Sequence, residues 1–337
     1  MHGDPSLSVT GLQGIRDLLG RDAEIRYVRA LETSRSRSTT GFEEALAAVR
    51  ASDVAILFLG EESILSGEAH SRADIGLPGA QAELVRRVRE AGKPVVAVIM
   101  AGRPLVLTDV IDELDAVLFA WHPGTMGGAA VADLLFGFES PSGKLPVTFP
   151  RAVGQIPIYY SQKHGGKPPS PETAVLIDDI PVGAAQTSVG NTSYHLDAGY
   201  RPLFPFGHGL SYTTFEYSNL RVDRPALRIG EALTVSVDLT NTGRVAGEEV
   251  AQLYVRDLVG NVTRPVRELK GFRRVRLAPG ETVTVSFRLG DDDLAFFGRD
   301  NTRIVEPGEF HLWVGGSSEG GLHAAFRLLE AGAERAP

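Results

Sequence analysis

From residue 24 to about 150, short uninterrupted apolar runs alternate with stretches of helical period, the pattern of a parallel sheet covered on both faces. The runs "VAILFL" (54–59), "VVAVIM" (95–100) and "AVLFA" (116–120) are too short and too rich in β-branched or aromatic residues for buried helices, and "EIRYV" (24–28) forms a weaker fourth. Between them "GAQAELVRRVREAGK" sets Leu84, Val85 and Val88 on one stripe before Gly92, and "GGAAVADLLFG" reads as a second helix ending at Gly137. The order predicted is βαβαβ with right-handed crossovers, an α/β three-layer sandwich with a mostly parallel sheet.

After "FPFGHGLSYTTF" the period becomes two. Leu233, Val235, Val237 and Leu239 alternate with polar residues, as do Val283, Val285, Phe287 and Leu289, and then Phe310, Leu312 and Val314. Turns such as "TNTGRVAGE" and "LAPGET" space these strands as in an all-β sandwich of the immunoglobulin or fibronectin-III-like type, without a cysteine pair. The segment between the two regions keeps no period and is spread with Pro, Gly, Ser and Asp. The expected organisation is therefore an α/β domain over 1–160, a long loop or linker over 161–214 and a β domain over 215–337. A loop of that length in a folded protein is functional or disordered, and Tyr194 and Tyr200 point to function.

The 337 residues, 43% of them hydrophobic, are enough for two cores. With 42 acidic against 34 basic residues the net charge is -8, and no basic run or basic aromatic face is present to grip phosphates, so nucleic acid is not an expected partner. No apolar stretch approaches the roughly 18 to 20 residues that span a bilayer, and the first twenty residues lack the basic start and apolar core of a signal peptide, so no membrane partner is expected. The chain has no cysteine, its eight histidines are scattered singly, and it carries no GxSxG, P-loop or GxGxxG sequence. Metal and cofactor are accordingly not expected. Carboxylate chemistry remains.

Its natural place is "GEESILSGEAHSRADIGLPG" (60–79), which follows the first apolar strand directly and holds Glu61, Glu62, Glu68 and Asp74. Ligands of open α/β sheets sit at the carboxyl ends of the strands. By composition alone these are solvated loop carboxylates. Glu61 lies nearest the strand end, where it would anchor the loop or bind a sugar hydroxyl. His70 and Arg72 stand two and four positions beyond Glu68, where a cation would hold a carboxylate or meet a sugar, and a surface salt bridge explains them equally well. Trp121, Tyr159 and Tyr160 read as packing aromatics.

Taken in order, "GEESILSGEAHSRADIGLPGAQ", "AGRPL", "GTMGGAAVADLLFGFESPSGKLPVTFP", "IPIYY", "FPFGHGLSYTTF" and "RPVRELKGFRRVRLAPGET" resemble glycoside hydrolase family 3, in the subgroup of bacterial periplasmic β-glucosidases. The resemblance covers the family's α/β sandwich and fibronectin-III-like domains. It implies a retaining, exo-acting enzyme that releases terminal β-D-glucosyl residues from a β-glucoside or oligosaccharide, in the periplasm or outside the cell. It assigns the acid/base role to Glu68 in "SGEAHSR", with Glu61, His70 and Arg72 as substrate-binding candidates.

In the family a (β/α)8 barrel carrying the nucleophile precedes these domains. Such a barrel takes about 250 residues, and about 20 precede the first candidate strand here. The expectation is a chain that is the C-terminal part of an enzyme, inactive alone, whose partner is the barrel as domain or subunit. Its barrel-facing surface would be apolar and would favour self-association into a homo-oligomer. The alternative is a non-catalytic carbohydrate-binding or scaffold module.

Overall fold

The three strongest apolar runs form the strands of one sheet, with the middle run the most deeply buried. In the computed structural model, which describes residues 4–163, 165–186 and 191–332, they are β1 (Ala55–Gly60), β2 (Val95–Met100) and β3 (Ala116–Phe119). They pair in parallel in the order β1-β2-β3, and in the central strand Val95, Ala97, Val98 and Ile99 are fully buried. Four helices accompany them: α1 (Gly11–Leu19), α2 (Phe42–Arg50), α3 (Gln81–Arg89) and α4 (Gly127–Leu135). Phe42, Leu46 and Val49 of α2 pack with Leu84 and Val88 of α3 over Ala55 and Leu57 of β1. Phe58, on the other face of β1, meets Gly11 of α1, and α1 packs with α4. Successive strand residues face opposite sides, so the sheet lies between two helical layers.

Two expectations fail in this region. Residues 24–28 form no strand, because Glu24 and Arg26 pair with each other, Arg26 bonds the Ala51 carbonyl, and Tyr27 is left 61% exposed. The second crossover is not helical either. Between β2 and β3 the chain makes only a 3₁₀ turn at Ile111–Glu113, and Leu105, Leu107 and Val110 fill the layer without a helical period.

Two compact units emerge, Met1–Glu139 with Phe149–Ile156, and Ser140–Thr148 with Pro157–Pro337. The second contains β4 (Phe215–Val222), β5 (Ala226–Arg228), β6 (Leu233–Asn241), β7 (Gly247–Asp257), β8 (Glu268–Leu277) and β9 (Thr282–Leu289). A short helix α5 (Asp291–Leu294) precedes β10 (Phe296–Phe297), β11 (Arg303–Ile304), β12 (Gly308–Gly315) and β13 (Leu322–Leu329). One sheet runs β5-β13-β12-β7-β8 and the other β4-β6-β9, with β10 and β11 as a separate hairpin. The core between the sheets is made by the residues of period two, including Leu233, Val235, Val237 and Leu239 of β6 and Phe310, Leu312 and Val314 of β12.

The segment 161–214 has a 3₁₀ turn at Ile177–Asp179 and no strand among its described residues. It still packs. Tyr160 at its entrance stacks on Phe206 with ring centroids 4.4 Å apart and meets the Tyr254 ring edge-on at 5.7 Å. The Tyr194 hydroxyl accepts from the Val175 amide at 2.9 Å and donates to the Val175 carbonyl at 3.1 Å. As a result β7 is buried on both faces: Tyr254 is fully covered and its hydroxyl donates to Gln252 Oε1 at 2.5 Å, while Gln252 Nε2 donates to the Gly207 carbonyl at 3.2 Å and the Gly316 carbonyl at 2.6 Å.

Candidate active-site loop

The acidic loop begins where β1 must leave the sheet. Gly60 has φ of 126°, and a Cβ there would lie 1.9 Å from the Met100 carbonyl oxygen, so only glycine fits. The buried Gln81 side chain replaces the lost strand partner: the Gly60 amide donates to its Oε1 at 2.7 Å, and its Nε2 donates to the carbonyls of Gly60 and Ser34, each at 2.8 Å.

Glu61 follows at once. Its amide donates to the Met100 carbonyl at 2.8 Å, and its carboxylate is wholly buried between two guanidinium groups. Arg72 pairs with Oε1, and Arg103 Nε lies 3.0 Å from Oε2. A buried carboxylate costs several kcal/mol unless its lone pairs are met by charged donors, and here both oxygens are met. The same two arginines then tie the loop's main chain. Arg72 Nη2 donates to the Gly76 carbonyl at 3.0 Å, and Arg103 Nη2 donates to the carbonyls of Leu65 and, at 3.0 Å, His70. Gly76 forms a parallel bridge to Val106, which fastens the far end of the loop beyond β2.

The other acidic residues of the loop are spoken for except one. Glu62 accepts from Ser34 Oγ at 2.9 Å and Arg35 Nε at 2.7 Å, and the Arg35 bond, with help from Ser34, holds its carboxyl below the usual range. Asp74 Oδ1 accepts from the Gly76 amide at 2.9 Å. Glu68 is exposed and forms no hydrogen bond or ion pair with the described residues. It rides on a turn closed by the His70 amide on the Gly67 carbonyl at 3.2 Å, with Ala69 left-handed at φ 62°.

Of the residues singled out from sequence, Glu61 and Arg72 meet directly. His70 joins them through its main-chain carbonyl while the residue itself is exposed, and Glu68 stands apart at the tip. Gln81 and Arg103 were missed. Arg103 had a signal, since "AGRPL" follows β2 directly and so sits at the same sheet edge as the loop. His122, exposed after β3, also comes close: a Cβ on Gly102 would lie 2.7 Å from His122 Nε2 and 2.0 Å from Ser66 Oγ. The adjacent Trp121 takes a left-handed φ of 52°, held by edge-on contacts to Phe119 at 4.6 Å and Phe149 at 5.9 Å between centroids. Among the described residues no three or more of His, Asp and Glu are placed to hold a metal ion, and His164 lies outside the described residues.

Similarity to known proteins places the chain in a family. Residues 1–212 match the glycosyl hydrolase family 3 C-terminal domain, and residues 249–318 match the fibronectin type III-like domain. The chain is 37% identical to a periplasmic beta-glucosidase of Salmonella typhimurium over 97% of its own length, and 40% identical to a beta-xylosidase of Formosa agariphila over 94%. It spans 43% and 41% of those two proteins. Among solved structures, that of a mutant beta-glucosidase from Listeria innocua in complex with laminaribiose is similar with a TM-score of 0.86 at 36% identity, over 98% of this chain and 43% of that one.

Proposed function

The chain belongs to glycoside hydrolase family 3, and from that membership we propose that it supplies the proton donor of a retaining, exo-acting β-glucosidase whose nucleophile lies on a (β/α)8 barrel. The observation that carries this reading is the contrast within one loop: Glu61 and Glu62 are engaged by arginines, and Glu68, seven residues on from Glu61, is exposed and unengaged.

Retaining hydrolysis needs two carboxyl groups about 5 to 5.5 Å apart across the scissile bond. In the first step the nucleophile attacks the anomeric carbon, the bond from that carbon to the glycosidic oxygen breaks, and the Glu68 proton passes to the departing oxygen. In the second step Glu68, now a carboxylate, takes a proton from the water that displaces the nucleophile. The substrate-bound site favours the protonated starting state, because exclusion of water and the like charge of the nucleophile both raise a carboxyl pKa. His70 contacts the sugar in this reading. Glu61 and Arg72 serve it by holding the loop. The full enzyme acts on terminal β-D-glucosyl residues in the periplasm or outside the cell, in keeping with the periplasmic beta-glucosidase to which the chain is similar.

The test is complementation. This chain alone should not hydrolyse an aryl β-glucoside, whereas the chain joined to the barrel of a close relative should, and Glu68→Gln should abolish that gain. Turnover by the purified chain alone that disappears with Glu68→Gln would contradict the need for a barrel. A joined protein that binds sugar and never turns over would favour the non-catalytic module.

A further inference from the structure

Arg103 is remote from the acidic loop in sequence and grips it at three points, the Glu61 carboxylate and the carbonyls of Leu65 and His70. Leu65 lies three residues before Glu68 and His70 two after it. One guanidinium therefore closes both arms of the turn that presents Glu68. The group suits the task, since its planar fork offers several donors in fixed directions where a lysine offers one compact charge.

The turn needs such a clamp. Ala69 at φ 62° lies in the left-handed region that a side chain disfavours, and strain of that kind persists only where the surroundings over-determine the conformation. Gly102, just before Arg103, lets the loop settle on the end of β2, because any larger residue there would strike Ser66. Glu61 completes the arrangement by fixing the arginine: its buried carboxylate holds Nε of the same guanidinium whose Nη2 grips the loop.

Resting on the reading of Glu68 as proton donor, we propose that Arg103 is a positioning residue for the acid/base step. It sets residues 65–70 so that the Glu68 carboxyl meets the glycosidic oxygen, and touches no substrate itself. A displacement of about 1 Å at a reacting group costs about 10²-fold in rate, so a loosened clamp would be felt in proton transfer before binding.

The experiment compares Arg103→Lys with Glu68→Ala in the chain joined to a relative's barrel, and follows backbone amide exchange of residues 65–70 in the chain itself. Arg103→Lys keeps a charge beside Glu61, and Arg103→Met serves as the harsher variant. For Arg103→Lys the expected result is an about 10- to 100-fold loss in kcat on cellobiose with KM little changed, and an about threefold or smaller loss on 2,4-dinitrophenyl β-glucoside, whose leaving group needs little protonation. Exchange at 65–70 should quicken at least about tenfold, the rate following the opening equilibrium of the loop. Unchanged exchange, or equal losses on the two substrates, would overturn the positioning role. If Glu68→Ala shows the split between substrates and Arg103→Lys does not, Arg103 alone is misassigned. If Glu68→Ala shows no split, the acid/base reading falls and takes this role with it.

Discussion

Two irregular regions of this chain look alike as text and differ in what they do with their side chains. The loop 61–79 and the segment 161–214 both carry Gly and Ser throughout, and neither has a strand among its described residues. In the segment and at its borders aromatic side chains are taken up in packing: Tyr160 and Phe206 cover the outer face of β7, and Tyr194, one of the two tyrosines that pointed to function, bonds the main chain of Val175. In the loop the order is reversed. Arginines and Gln81 hold the main chain and the acidic neighbours, and the exposed Glu68 is what remains. Irregular backbone alone marks neither a site nor a linker; the two regions differ in which side chains their hydrogen bonds leave exposed.

The sharpest way to break this contrast is to remove the anchor. Glu61→Ala leaves two largely buried guanidinium groups without their shared carboxylate, and breaking a buried ion pair from one side costs about 3–5 kcal/mol. Glu68→Gln, by contrast, should stay within about 0.5 kcal/mol of the parent, as an exposed and unpaired position should. Urea unfolding of both variants reads the difference, and a Glu61→Ala as mild as Glu68→Gln would show that the loop is not pinned there. The segment has its own test. Tyr254→Phe removes the bond to Gln252 and strands a buried amide oxygen, which should cost about 1–3 kcal/mol and leave the loop's amide exchange unaltered.

A smaller effect separates the regions by pH. In the β unit, bonds from Arg221, then Thr284 and Asn219, hold the Asp238 carboxyl far below its ordinary range. A carboxyl depressed in the folded state lends stability above its unfolded value, near 3.9, and loses it as pH falls through the folded value. Asp238→Asn should therefore lower Tm at pH 7, with the gap to the parent closing as the pH falls below about 3. A gap that widens in acid would contradict the assigned direction.

How much of this was legible beforehand follows from the range of the interactions. Strands β1 to β3 and the alternating strands β6, β9 and β12 announce themselves, since burial on two faces or one is written in consecutive residues. The weak run 24–28 misled because its charges find partners of their own. The loop was visible as a cluster of acids at a strand end. What distinguished Glu61 from Glu68 was not, because the Arg103 that buries Glu61 lies 42 positions away and no local period links them. The covering of β7 and β8 was hidden for the same reason, with Tyr160 meeting the Tyr254 ring and accepting from the Leu269 amide across 109 positions.

The most direct test of the account is leaving-group dependence in the chain joined to a relative's barrel, measured as kcat/KM on cellobiose and on 2,4-dinitrophenyl β-glucoside, with and without azide. For Glu68→Ala the account predicts an about 10²- to 10⁴-fold loss on cellobiose, a much smaller loss on the activated glucoside, and azide rescue that yields β-glucosyl azide. Glu61→Gln should slow both substrates alike and gain nothing from azide. The split and the rescue appearing at Glu61 and absent at Glu68 would contradict it.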